Sequence, residues 1–323
     1  MKRFEAFADA ICAEASSRKE EIASTLKVNT LYVGGGTPSV LPPSVFERIV
    51  RALPYGPFDE FTMEANPEDI VEKGPDYLAF LRGLGVNRLS MGIQGFDDAL
   101  LRWMNRRHDS SRALKAFHMA REAGFGNISI DLMFGISGLS DECWEKTTSQ
   151  AIALRPEHIS AYQLSIEEGS ALEEMTAKGQ YTEASEDICR RQYDTLCRKL
   201  AEAGYVHYEV SNFALPGYMA VHNSAYWRRV PYVGLGPGAH SFDGKARRWN
   251  NPDYSSETEE LSPEDIRVET IMLGLRTATG VARDLVPGCD ALEKEGALIS
   301  SGSNVRIPED RFFVSDDIIR RLI

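Results

Sequence analysis

Short apolar, β-prone runs alternate along this chain with longer stretches whose apolar residues follow the helical period. Strand-like runs recur at residues 29–33, 60–64, 88–93, 128–133 and 158–164. Between them the spacing predicts helices over 43–53, 75–84, 110–123 and 141–154. The helix near 110 closes on Ala123-Gly124-Phe125, a glycine C-cap. Strand–helix alternation at roughly the 30-residue period of βαβ units implies a parallel sheet. Five such strands in series suit a barrel or partial barrel, with an open doubly wound sheet as the alternative.

The first element breaks the pattern. Phe4, Phe7, Ala8, Ile11, Cys12 and Ala15 form an apolar stripe at helical spacing, with Glu5, Asp9 and Glu14 off it. A helix in a right-handed βα array crosses over from a preceding parallel strand, and none precedes this one. The strand at Leu31–Val33 would then carry an open edge, which parallel sheets rarely tolerate. The expectation is that the sequence lacks its first strand and the loop after it, as a truncated gene or misplaced start codon would produce.

After Leu164 the alternation loosens. A helix is predicted over 185–203, ending in Ala203-Gly204-Tyr205. A stretch rich in glycine, aromatics and histidine runs from His207 to Trp249, and residues 256–260 read as an acidic loop. Ser262 at an N-cap with Pro263 at N1 opens a further helix. The tail from Leu292 has helix–hairpin–helix character. The expected organisation is a partial barrel over 1–170, an extension completing the core over 171–255, and a small C-terminal helical or wing region over 256–323.

A length of 323 residues accommodates one large α/β domain with an appendage. Lys and Arg total 36 against 48 Asp and Glu, and the resulting net charge of −12 disfavours a nucleic-acid partner. No apolar run is long enough to span a membrane, and the N-terminus leads into a mixed-charge helix rather than a signal core. A cytoplasmic location is expected. The five cysteines, Cys12, Cys143, Cys189, Cys197 and Cys289, form no CxxC or CxxxCxxC pattern, so no metal site is written in local spacing. Cys189 and Cys197 fall on one helix roughly 12 Å apart, too far for a disulfide.

Candidate chemistry collects where parallel strands end. The first run ends in Gly34-Gly35-Gly36-Thr37-Pro38, where bare backbone can approach a ligand and aim N–H groups at it. The second ends in Glu64-Ala65-Asn66-Pro67 and the third in Gln94. The fourth carries Asp131 inside an apolar run, and Arg106 follows in Asn105-Arg106-Arg107-His108. A bare carboxylate is costly to bury, so Asp131 marks a function or a specific hydrogen bond. Carboxylates can hold ribose hydroxyls or an amino group, and an arginine can hold a carboxylate through paired bonds. The set suits a nucleoside bearing an amino acid. His222, close to Tyr226 and Trp227, reads either as a haem ligand or as a turn-capping histidine among core aromatics. His240, behind its glycines, reads as structural.

These motifs resemble the radical S-adenosylmethionine (SAM) proteins related to oxygen-independent coproporphyrinogen III oxidase, and within them the haem-chaperone branch. The matching segments are Gly34–Pro38, Glu64–Pro67, Arg88–Gln94, Asn105-Arg106 and Ile130–Leu132, and the resemblance spans residues 28–250. It implies that Gly35, Gly36, Thr37, Glu64, Gln94, Arg106 and Asp131 contact SAM, with Ser165 near a further contact position. His222–Trp227 matches the HNxxYW signature of the chaperone branch, which makes His222 a haem-binding candidate. The implied fold is a partial (β/α) barrel of the radical SAM type, missing its first strand, with a C-terminal α+β extension. The implied function is a haem chaperone that transfers haem to an acceptor protein. The alternatives are a radical enzyme that decarboxylates coproporphyrinogen III, or a cluster-less remnant. Two departures stand out. The family's CxxxCxxC loop for a [4Fe-4S] cluster is not in this sequence, and the segment from Gly280 to Leu292 is shorter than the family's.

Overall fold

The computed structural model describes residues 2–25 and 29–323. Its five parallel strands are β1 (Thr30–Val33), β2 (Glu60–Ala65), β3 (Arg88–Gln94), β4 (Ile128–Phe134) and β5 (His158–Gln163). They pair in chain order, each parallel to the next. Two further strands, β6 (Val206–Glu209) and β7 (Asn212–Ala214), extend the sheet beyond β5. Both pairings there are antiparallel, and the sheet order is β1-β2-β3-β4-β5-β7-β6. The sheet curls into a half-barrel. Among the described residues β1 pairs with β2 alone.

The curl follows from what each face carries. Successive strand residues point to opposite faces. Phe61, Met63, Leu89, Met91, Ile93, Ile128, Ile130, Leu132 and Ile159 all lie on one face and are all buried. They pack with Leu78, Leu81, Ala113, Phe117 and Trp144 from the crossover helices in a single core. Burying each large side chain of this kind stabilises the fold by about 1.5–3 kcal/mol. The alternate positions carry Tyr32, Glu60, Thr62, Glu64, Arg88, Ser90, Ser129, Asp131, His158 and Ser160. The inner face of the half-barrel is therefore polar from β1 to β5.

Two elements differ from the sequence reading. The helix expected over 75–84 runs from Pro67 to Gly83, with a kink at Gly74 (φ 75°, ψ −172°). Asn66 precedes a proline at N1, which starts the helix a full segment early. Residues 256–260 form a strand rather than a loop. It is β10 of a second sheet with β8 (His240–Phe242) and β9 (Ala246–Asn250). Across the ladder Glu259 is opposite Arg247, and Thr258 opposite Arg248. Cross-strand opposite charges of this kind support pairing in a segment that is exposed throughout.

The N-terminal helices tie this second sheet to the barrel. The opening helix, Lys2–Ser17, turns Phe4, Phe7, Ala8, Ile11, Cys12 and Ala15 away from solvent. The buried Arg18 donates to the Gly234 carbonyl at 2.7 Å and to Ser241 at 2.9 Å while pairing with Glu14 and Glu21. Glu14 in turn accepts from the Gly236 N–H and from Asn250, each at 2.8 Å. The tail holds a helix at Asp290–Lys294 and a third small sheet, β11 (Val281–Ala282), β12 (Ile299–Ser301) and β13 (Asn304–Arg306). A short closing helix, Ser315–Arg320, follows.

Candidate functional site

The glycine loop leaves β1 beside the end of β2. Tyr32 donates its hydroxyl to Glu64 Oε1 over 2.7 Å, and the Gly35 N–H donates to Oε2 over 3.2 Å. Both oxygens of Glu64 thus hold the loop in place. A Cβ on Gly34 would lie 2.5 Å from the Glu64 carboxylate and from the Tyr32 ring, so that position must be glycine. Gly35 has φ +79°, which L side chains adopt only under strain. Nothing lies within 4 Å of a Cβ on Gly35 or Gly36: the loop faces open space with its backbone bare. Thr37 caps the short turn Pro38–Val40 and lies 3.5 Å from Asn66 Nδ2.

Arg106 reaches the same rim from the loop before helix Ser110–Glu122. Its Nη2 donates to Asn66 Oδ1 at 3.1 Å and to the Gly92 carbonyl at 2.9 Å. A Cβ on Gly92 would lie 3.0 and 3.1 Å from Gln94 Nε2 and Arg106 Nη2, a tight fit that would push on both side chains. Gln94 takes φ 66° at the strand end, where the β3–β4 register shifts. Asp131 accepts from Ser90 at 3.3 Å. Burial pushes its carboxyl up to about 6, against the pull of the Arg88 charge. Ser165 is exposed beyond β5 and donates to Glu167 at 2.6 Å, apart from this group.

His222 comes to β1 from the other side. It lies in the helix Val221–Trp227, whose first N–H groups are capped by Glu60: Val221 N donates at 2.8 Å and His222 N at 2.9 Å. Nδ1 is 2.7 Å from the Thr30 hydroxyl and Nε2 is 2.8 Å from the Tyr226 hydroxyl. Burial lowers its pKa and favours the neutral imidazole. A neutral ring has one N–H and one lone pair, and hydroxyls satisfy either role. Beside it a groove of about 500 Å³ follows β1 between the glycine loop and the second sheet, with Phe7, Leu31, Val33, Tyr232 and Leu235 among its walls. His240 borders this groove and stacks on Trp249.

A second cavity of about 350 Å³ lies inside the half-barrel. Glu64, Arg88, Ser90, Asp131 and His222 all line it, so the glycine-loop side and the His222 side share one space. Arg88, His158 and Ser160 escaped the sequence reading. Their signal was the alternation itself, since polar residues recur at most of the alternate positions of the five strands.

The rim thus offers bare N–H groups, two carboxylates and a guanidinium, chemistry matched to a zwitterionic amino-acid end and to vicinal hydroxyls. Thiolates are another matter. All five cysteines are free, and no three converge. Among the described residues one group has metal-like spacing, Cys289, Asp290 and Glu293, but Arg283 already pairs with both carboxylates. These residues do not fit an iron–sulfur cluster.

Residues 17–151 match the family model of the Radical SAM superfamily. A "Heme chaperone HemW" from Bacillus subtilis (strain 168) is 34% identical over 274 residues, covering 79% of this chain and 72% of that protein. A Mycobacterium tuberculosis (strain ATCC 25618 / H37Rv) protein of the same name is 29% identical, covering 92% and 81%. The mouse "Radical S-adenosyl methionine domain-containing protein 1, mitochondrial" is 37% identical, covering 68% and 50%. Among solved structures, coproporphyrinogen III oxidase (HemN) from Escherichia coli, a radical SAM enzyme, superposes with a TM-score of 0.78. That match covers 98% of this chain and 82% of the other at 20% identity, a likeness of fold.

Proposed function

The chain belongs to the HemW family of radical SAM proteins, and we propose on that premise that it binds haem through His222 and passes it to an acceptor protein. The observation that carries this reading is the state of His222. It is neutral, fixed at Nδ1 by Thr30, and its Nε2 meets only the hydroxyl of the exposed Tyr226. An Nδ1–H donated to the Thr30 hydroxyl, which that hydroxyl can accept, would orient the ring as an iron-ligating imidazole requires. The apolar groove beside it suits a flat macrocycle, and a single exchangeable ligand suits a protein that must release what it carries.

Superfamily membership implies SAM and a [4Fe-4S] cluster. We place SAM on the rim. The loop backbone at Gly35, Gly36 and Thr37 would face its polar groups, with Arg106, Glu64, Gln94 and Asp131 supplying side-chain contacts to its ribose and amino-acid functions. Bound there, SAM would bring a sulfonium cation and a nucleoside to the mouth of the polar cavity. The cysteines of this chain do not form the ligand set of a cluster, so the residues described here support binding and positioning. Five free thiols fit a reducing cytoplasm. No helix among the described residues is long and apolar enough to cross a membrane.

The test is a haem titration of wild type and His222→Ala, followed in the Soret region. Coordination by His222 predicts a shifted band and weaker binding in the variant; identical spectra and affinities would remove His222. A second reading, oxidative decarboxylation of coproporphyrinogen III, is favoured by the polar interior of the half-barrel. Turnover of that substrate by a form of the protein that carries the cluster ligands, reconstituted anaerobically, would establish it.

A further inference from the structure

Arg88 lies on β3, faces the half-barrel cavity, and is 3% exposed. Its one side-chain hydrogen bond among the described residues runs from Nη1 to the Thr62 hydroxyl at 3.4 Å. Among the described residues its buried Nε has no hydrogen-bond partner, and no carboxylate pairs with the guanidinium. A guanidinium so enclosed is strongly unfavourable without an anion.

The cavity holds three carboxylates, and all are committed elsewhere. Glu60 caps the helix that carries His222. Glu64 holds Tyr32 and Gly35. Asp131 is held by Ser90. The nearby His158 cannot supply an anion. It is buried and neutral, with Nδ1 2.7 Å from Ser129 and Nε2 2.7 Å from the Tyr208 hydroxyl. The interior therefore presents one cation with unused donors, facing a space large enough for part of a ligand.

We infer that Arg88 binds the carboxylate of a ligand that enters the half-barrel. A planar monoanion with two oxygens matches the guanidinium fork. The surrounding carboxylates disfavour a dianion such as phosphate. Two carboxylate sources fit the proposed function: a propionate arm of haem, or the amino-acid end of SAM. The choice of probes rests on that reading; the unpaired guanidinium does not.

The experiment compares each probe with its carboxylate-free analogue: haem with haem dimethyl ester, and SAM with decarboxylated SAM. Wild type, Arg88→Met and Arg88→Lys are titrated with all four, after circular dichroism and thermal melts establish that the variants fold. The expected result is that Arg88→Met weakens one carboxylate-bearing probe by about tenfold or more and leaves its analogue unchanged. Arg88→Lys, which keeps the charge and loses the fork, should recover only part of the affinity. Loss confined to haem identifies a propionate; loss confined to SAM identifies its amino-acid end. Equal affinities of the folded Arg88→Met protein and wild type for both parent probes would overturn the inference, as would an equal loss for parent and analogue. If Arg88→Met does not fold, the wild type alone decides: it must prefer at least one parent over its analogue. A failure of haem binding through His222 would leave the SAM arm of the test intact.

Discussion

The ring of Tyr32 stacks on the imidazole of His222, with centroids 5.3 Å apart and planes within 22°. The same side chain donates its hydroxyl to Glu64, which holds the glycine loop. Burial and the Glu64 charge raise the Tyr32 pKa, so the hydroxyl remains a donor. One residue therefore touches both proposed ligand sites. Binding at either site should alter the other, reciprocally. SAM should change the haem affinity of wild type severalfold. In Tyr32→Phe, which keeps the stack and loses the hydroxyl, that ratio should fall towards one. A ratio unaffected by the substitution would show that Tyr32 does not couple the sites.

The three glycines separate folding from binding. Gly34→Ala drives a methyl into Glu64 and the Tyr32 ring and should destabilise the protein by about 1–3 kcal/mol. Gly36→Ala meets open space and should melt at the wild-type temperature. If SAM lies against the loop, the same methyl should weaken its binding by about tenfold. Calorimetric titration reads this directly. Unchanged SAM affinity in Gly36→Ala would move the ligand off the loop.

Glu60 acts on haem without touching it. Removing its carboxylate leaves the first N–H groups of the helix Val221–Trp227 uncapped. Glu60→Ala should lower stability by about 1 kcal/mol and loosen the position of His222. Haem affinity should drop while the haem spectrum at saturation stays that of wild type. A changed spectrum at saturation would mean that the ligand itself had been replaced.

Asp131 makes stability depend on pH. Its folded pKa, about 6, lies above the unfolded value, so the folded state binds more protons between about 4 and 6. Stability contributed by this group is present below the unfolded pKa and is lost as pH rises through about 6. Glu209, raised by burial to about 7, acts in the same direction over a slightly higher window. Asp131→Asn should therefore gain on wild type in denaturant midpoint as pH rises from 4 to 6, then hold a constant advantage. Parallel midpoints across that range would contradict the raised pKa.

The fold was largely legible because its physical signals are local. Apolar runs at a regular spacing place β1 to β5, and the Gly34–Gly36 turn, Glu64 and Gln94 follow from where those strands end. The misses have physical causes. Gly74-Pro75 looks like a helix start, yet the chain is already helical from Pro67 and kinks there. Residues 256–260 have no apolar position, so only pairing across the ladder with Ala246–Asn250 makes them a strand. Arg88 and His158 open their strand runs as single polar positions, and only the curvature of the sheet gathers the alternate positions into one cavity. His222 was visible by its aromatic neighbours, but its two hydroxyl partners come from residues 30 and 226, and the first is brought to it by the fold alone.

The central claim is that His222 Nε2 is the axial ligand of bound haem. Pulsed electron paramagnetic resonance of the ferric haem complex reads the ligating atom itself. Wild type should show the nitrogen coupling of an axial imidazole, and His222→Ala should lack it while still folding. The same imidazole coupling in both proteins, or none in wild type, would contradict the account.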